Sequence, residues 1–227
     1  ITFNDPVTVQ TPTGSITVNG QITGADDATI TLNAAGSTTL KAGIVTSGRA
    51  ITINGAVVIG EGFAITIDTG AGSGSITITG NTNGTADGLP ESLTFNTGSG
   101  ILNVSGLFGA GGAASSTGLT TVTVTNAGIT NFNGAIAITG ALTQTNAATG
   151  ATTFASTVAV GSATLRGTTY SVTNSFAATG AVSVTNSGTF TKVATGAINA
   201  NGGFSITGNE SLAGNINTTG TDLVIGG

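Results

Sequence analysis

Apolar and polar residues alternate along most of this chain in short runs, each closed by a polar residue and usually a glycine. The phrase is written as Ile16-Thr17-Val18-Asn19-Gly20, Ile51-Thr52-Ile53-Asn54-Gly55, Ile76-Thr77-Ile78-Thr79-Gly80 and Ile136-Ala137-Ile138-Thr139-Gly140, with Val182-Ser183-Val184-Thr185-Asn186 as a looser copy. A period of two places every second side chain on one face of an extended strand. Each phrase therefore predicts a short strand with Ile or Val facing inward and Thr, Ser or Ala facing out. Thr is β-branched and suits the exposed side of a pleated surface. The closing Asn, Asp or Thr followed by Gly reaches the left-handed backbone angles of a turn. Strands this short need neighbours above and below.

Internal repetition supplies those neighbours. Phe132, Phe154 and Phe176 recur at a spacing of 22 residues. The first two are followed at matching offsets by Ile136-Ala137-Ile138 and Val158-Ala159-Val160, whereas Val182-Ser183-Val184 follows the third two residues late. A second phrase ends in Thr-Asn, at Val122 to Asn126, Leu142 to Asn146, Tyr170 to Asn174 and Val182 to Asn186. Recurrence in this range marks a repeat architecture. The pattern predicts an all-β fold, a parallel β-solenoid with roughly 20 to 24 residues per circuit, each circuit lying about 4.8 Å from the last. On the order of ten circuits would extend about 50 Å. Like residues then stack on like, and Phe132, Phe154 and Phe176 are expected to form one internal aromatic column. Helix is opposed by glycine throughout: even the Ala-rich stretch at 110–116 contains Gly111 and Gly112. Residues 1–227 read as one continuous solenoid segment. Loop excursions are expected near 81–91, where Gly84, Asp87, Gly88 and Pro90 fall, and near 109–118, rich in Gly, Ala and Ser.

Composition narrows what such a stack can be. Of 227 residues 38 are Gly, 4% are aromatic and none is Cys, Met, Trp or His. Compact globular packing draws on a wider set of large side chains. Charged residues make up 6%, far below the roughly 25% of an average soluble domain, so solubility falls to Thr, Ser and Asn. A mean hydropathy of +0.37 points toward a membrane. No run, however, reaches the about 20 consecutive apolar residues of a spanning helix, and one Tyr with nine Phe does not furnish the aromatic girdles of an outer-membrane barrel. The only basic residues are Lys41, Arg49, Arg166 and Lys192, and the formal net charge is −5. Nucleic-acid binding, which needs a basic patch, is excluded as a function class. Without Met the chain reads as a processed product or as a segment of something longer, with any targeting signal outside it.

Candidate chemistry is sparse. Nucleophile triads lack their His or Cys, which leaves carboxylates. Asp26 and Asp27 are adjacent, but neighbours on a strand face opposite ways, and the pair reads as a solvated turn. Asp87 and Glu91 bracket Pro90 in a Gly-rich loop and are the candidate ligands for a weakly held Ca²⁺, with loop carbonyls completing the shell. No other cofactor is implied, since Gly70-Ala71-Gly72-Ser73-Gly74 lacks the Lys-Ser/Thr and the helix of a phosphate loop. The outward Thr of Thr121-Val122-Thr123-Val124-Thr125 and Thr77-Ile78-Thr79 resemble the flat Thr arrays of ice-binding solenoids, but their irregular spacing favours the ordinary strand preference for Thr.

The stretches TVTVTNAGITNFNGAIAITG at 121–140 and SVTNSFAATGAVSVTNSGTF at 171–190 resemble the strand-repeat regions of large bacterial surface proteins. These include filamentous-haemagglutinin-like exoproteins and autotransporter adhesins, whose shafts are right-handed parallel β-helices. The secretion domain of such exoproteins carries an Asn-Pro-Asn-Gly type motif that this chain lacks. The resemblance therefore implies a shaft: a non-enzymatic, secreted or cell-surface structural element of an adhesin or extracellular filament. Its implied partners are like subunits or adjacent repeats stacked end to end, and cell-surface glycans. The alternative class is a carbohydrate-binding or polysaccharide-cleaving β-helix that would use Asp26, Asp27, Asp87 or Glu91.

Overall fold

The structure, a computed structural model, describes residues 1–85, 89–109, 118–146, 150–219 and 221–226. The described chain is an all-β parallel solenoid of about 10 turns with about 22 residues per turn and no helix. Its strands join in one hydrogen-bonded sheet in which each strand between the first and last circuits pairs parallel to strands one circuit before and after. Three ladders run the length of the rod. The first face starts at Thr2–Phe3 and continues through Ile22–Gly24 and Ile44–Thr46 to Leu223–Gly226. The second starts at Val7–Thr11 and the third at Ile16–Val18. Longer strands turn a corner and serve two faces: Ile30–Leu40 spans the second and third, and Val182–Lys192 the first and second.

Register accounts for the alternation in the sequence. On the second face Val9, Leu32, Ile53, Ile78, Val104, Phe132, Phe154 and Val172 are successive Cα partners. Those from Leu32 to Val172 are all buried. The interior is aliphatic in the earlier circuits and aromatic later. Ring centroids step from Phe95 to Phe108 at 6.0 Å, to Phe132 at 6.0 Å, to Phe154 at 5.6 Å and to Phe176 at 5.8 Å.

The aromatic run is a chain of contacts rather than one column. Phe132 and Phe154 are Cα partners with nearly parallel rings, 6° apart. The next circuit is shorter, so the partner of Phe154 is Val172 and the chain has already turned onto the third face when it reaches Phe176. There Phe176 pairs with Val158 and meets Phe154 edge-on across the interior, at 86°. The constant spacing of 22 residues coincides with one circuit once and then drifts.

Corners absorb that drift. Registered asparagines bonded amide to amide are 18 residues apart at Asn199 and Asn217, 21 at Asn33 and Asn54, and 28 at Asn103 and Asn131. Between first and second faces, three successive corners are closed from inside by a buried threonine. Thr46 donates to the carbonyl of Arg49 at 2.5 Å, Thr69 to that of Gly74 at 2.7 Å and Thr97 to that of Gly100 at 3.0 Å. Each hydroxyl pins a corner carbonyl from the core side, and the Gly100 carbonyl also accepts the Gly128 N–H of the next circuit at 2.8 Å. Circuits also approach closely where glycines stack. A Cβ on Gly128 would overlap the carbonyl oxygen of Ser99 one circuit below, so no larger residue fits there without shifting the main chain.

Candidate functional site at the excursion corner

The corner from third face to first is usually short, as where Thr139 and Gly140 carry the chain from Ile138 to Ala141. In two consecutive circuits it lengthens, from Asn83 to Pro90 and from Gly109 to Gly118. The two excursions leave the rod one above the other, since Thr82 pairs with Phe108, and Pro90 with Gly118. They are narrower than the sequence indicated, because Thr82–Asn83 and Pro90–Asn96 already belong to the ladder. Residues 86–88, with Asp87, and residues 110–117 lie outside the described residues.

Glu91 stands at the foot of both excursions. It is the second residue of strand Pro90–Asn96, and strict alternation sends Glu91, Leu93 and Phe95 inward. One carboxylate oxygen, Oε1, accepts the Gly62 N–H at 3.2 Å and the Thr85 hydroxyl at 2.8 Å. Its own carbonyl accepts the Thr120 hydroxyl at 2.8 Å. Glu91 thereby ties three successive circuits together at the corner. Its Oε2 is buried with no hydrogen-bond partner among the described residues, and it lies against Gly84, where a Cβ would overlap it. The described partners of the carboxylate are hydrogen-bond donors, whereas a calcium shell needs several oxygen ligands. Among the described residues no group of three or more acidic, His or Cys side chains converges.

One circuit below, the turn at Gly60 to Phe63 closes through the Phe63 N–H on the Gly60 carbonyl at 3.1 Å, with Gly62 at φ 67°. It presents Glu61 and the Phe63 ring to solvent, and Phe63 is 40% exposed while most other Phe are buried. Leu89, 47% exposed, lies over Gly62. The corner thus joins an exposed apolar pair to a buried carboxylate. Asp26 and Asp27 are elsewhere, at an exposed corner between first and second faces. The Ala28 N–H bonds to the Ala25 carbonyl at 3.0 Å and Asp26 adopts φ 55°, as a tight turn requires.

Two titratable groups that the composition did not single out are buried in the later circuits. Lys192 follows Val172 in the inward column of the second face. Its ammonium donates to the carbonyls of Val193 at 2.5 Å, Thr195 at 2.7 Å and Gly196 at 3.3 Å, and burial lowers its pKa. Three donors meet three acceptors, which is the full capacity of an ammonium. Tyr170 has its hydroxyl buried without a hydrogen-bond partner among the described residues, and burial raises its pKa. The sequence did hold a signal for Lys192, because in Phe190-Thr191-Lys192 the alternation that buries Phe190 buries the lysine too.

The outward surface is a set of hydroxyl columns. On the first face Thr66, Thr94, Thr123, Thr143 and Thr164 are successive Cα partners, followed by Ser183 and Ser205. Two residues along the same strands Asp68, Asn96 and Arg166 interrupt a second set of hydroxyls at Thr125, Thr145, Thr185 and Thr207, and a register shift falls between Phe95 and Asn96. The uninterrupted hydroxyl array is therefore one column wide, with a broken second column beside it. Among the described residues no helix is long and apolar enough to cross a membrane. In comparisons with known proteins, no family model, no curated protein and no solved structure matches this chain.

Proposed function

We propose that this chain is a structural shaft, a non-enzymatic segment of a secreted or cell-surface protein that serves in a bacterial adhesin or an extracellular filament. The observation that carries the reading is the continuous parallel pairing of each circuit on the next. Inward columns that are mostly apolar stack through about 10 turns while the corners differ in length. An outward surface of Thr, Ser and Asn with few charges supports it. Such a surface is hydrated without offering the convergent groups of a catalytic cleft. The strand edges at the two ends of the rod favour partners of the same kind, either further circuits or another copy, because an open parallel edge is a template for pairing. Negative-stain electron microscopy and small-angle scattering test the shaft. The expected particle is a rod about 50 Å long and roughly 20 to 30 Å wide. A sphere of the same mass would overturn the reading.

A further inference from the structure

We propose that Asn133 is a self-modification site, at which the Gly134 nitrogen attacks the Asn133 side chain and the asparagine is converted to aspartate and isoaspartate without an enzyme. Water is the only co-reactant. The site needs only the geometry of one corner and holds whether or not the rod is a shaft.

An asparagine followed by glycine is the pair best suited to this reaction, because glycine has no side chain to shield its own nitrogen and its backbone turns freely. The glycine nitrogen gives up its proton and forms a bond to Cγ of the asparagine. The bond from Cγ to the side-chain nitrogen breaks, and ammonia leaves with that proton. Water then opens the cyclic imide at one of its two carbonyls, which leaves aspartate or isoaspartate. Both the side-chain amide and the N–H of the next residue must be free to move.

The chain has five Asn-Gly pairs, at Asn19, Asn54, Asn83, Asn133 and Asn201. The last four lie between a circuit below and a circuit above. Three of these are held. The Asn54 amide donates to Asn33 Oδ1 at 2.6 Å, and the Gly55 N–H donates to the Thr79 hydroxyl at 3.1 Å. At Asn201 the side-chain oxygen accepts the Thr219 hydroxyl at 3.3 Å, while the Gly202 N–H donates to the Gly180 carbonyl at 3.0 Å. The Asn83 amide, turned to suit its neighbours, donates to the carbonyls of Gly109 and Thr82.

Asn133 is held at neither point. It is exposed and follows strand Ile129–Phe132, and its own N–H donates to the Val104 carbonyl at 2.9 Å. Pairing resumes at Ala135, whose carbonyl accepts the Phe108 N–H at 2.8 Å. Between them, the Asn133 side-chain amide and the Gly134 N–H make no hydrogen bond among the described residues. The same corner admits only glycine at 134, since a Cβ there would overlap the Gly106 carbonyl oxygen one circuit below. The packing that demands glycine thus supplies the attacking nitrogen. Asn174 is the nearest rival, because its Oδ1 accepts the Ser175 N–H at 2.9 Å. That bond keeps the proton on the nitrogen, and the Ser175 side chain crowds the approach. Conversion at Asn133 puts a carboxylate on a surface with few charges, and the iso form adds one main-chain atom to a corner.

Ageing the folded chain in mildly alkaline buffer, with peptide mapping by mass spectrometry for deamidation and isoaspartate, tests the site. Asn133 is expected to convert about tenfold faster than Asn54 or Asn201, whose hydrogen bonds must first open. In urea the three rates should draw together. Thr79→Val removes the acceptor of the Gly55 N–H, so it should speed Asn54 in the folded chain and leave Asn133 unchanged. Asn133→Gln, which would have to close a larger ring, should show no conversion at 133. The proposal is overturned if Asn133 reacts no faster than Asn54 or Asn201 in the folded chain, or if Asn174 reacts first. A spread of rates that survives in urea, or an Asn54 unmoved by Thr79→Val, overturns it as well.

Discussion

At the scale of single residues, the polar groups inside the rod define its response to pH. Tyr170 ordinarily titrates near 10.0, and burial raises that value in the fold. A raised pKa gives a contribution that is complete below the unfolded value and is lost as pH climbs above it, because only the unfolded chain ionises there. Lys192 has the opposite sign. Burial lowers its pKa from 10.5, so the folded chain releases the proton first and stability rises with pH as 10.5 is approached from below. Urea midpoints measured from pH 8 to 11 should therefore fall less above pH 10 in Tyr170→Phe than in the natural chain, by up to about 1.4 kcal/mol per pH unit. At pH 7 the Phe variant should be at least as stable, since the hydroxyl it removes has no hydrogen-bond partner among the described residues. Lys192→Met should remove the rise below 10.5. Identical alkaline slopes in all three proteins would refute the assignment.

At the scale of strands and corners, the alternating phrases were legible because a period of two has one structural meaning. Ile16–Val18, Ile76–Ile78 and Ile136–Ala137 are all strands, and Ile51–Ile59 runs the phrase on through a corner. What the sequence concealed was which circuit a residue belongs to. Phe176 keeps the spacing of 22 and still lands on a different face, because corner length is set by turn chemistry and not by the strand pattern. Glu91 was concealed for the same reason. Its inward direction could be read from Glu91-Leu93-Phe95, but Gly62, 29 residues earlier, becomes its partner only once the circuit length is known. The role of that contact is testable by hydrogen exchange. In Glu91→Ala the Gly62 amide loses its acceptor, and its exchange should accelerate by about tenfold or more, the equivalent of one hydrogen bond. Glu91→Gln, which keeps an acceptor oxygen, should stay close to the natural rate. Equal rates in both variants would show that the carboxylate does not hold the corner.

At the scale of the whole molecule, the direction of the ladder has a mechanical consequence. Hydrogen bonds between circuits lie along the long axis, so a force applied to the two ends pulls directly on them, with no lateral sheet contact to share the load. The circuits should part singly, from an edge inward, in the manner of a coil paid out turn by turn. A circuit of about 22 residues, once drawn straight, adds about 70 Å of length. Single-molecule pulling should record a series of small steps that follow circuit length, from about 60 Å where registered residues are 18 apart to about 90 Å where they are 28 apart. One large rupture would mean that the rod yields as a block. Stepwise yielding would let such a shaft lengthen under load and rewind afterwards, which makes it a tether that absorbs a sudden pull.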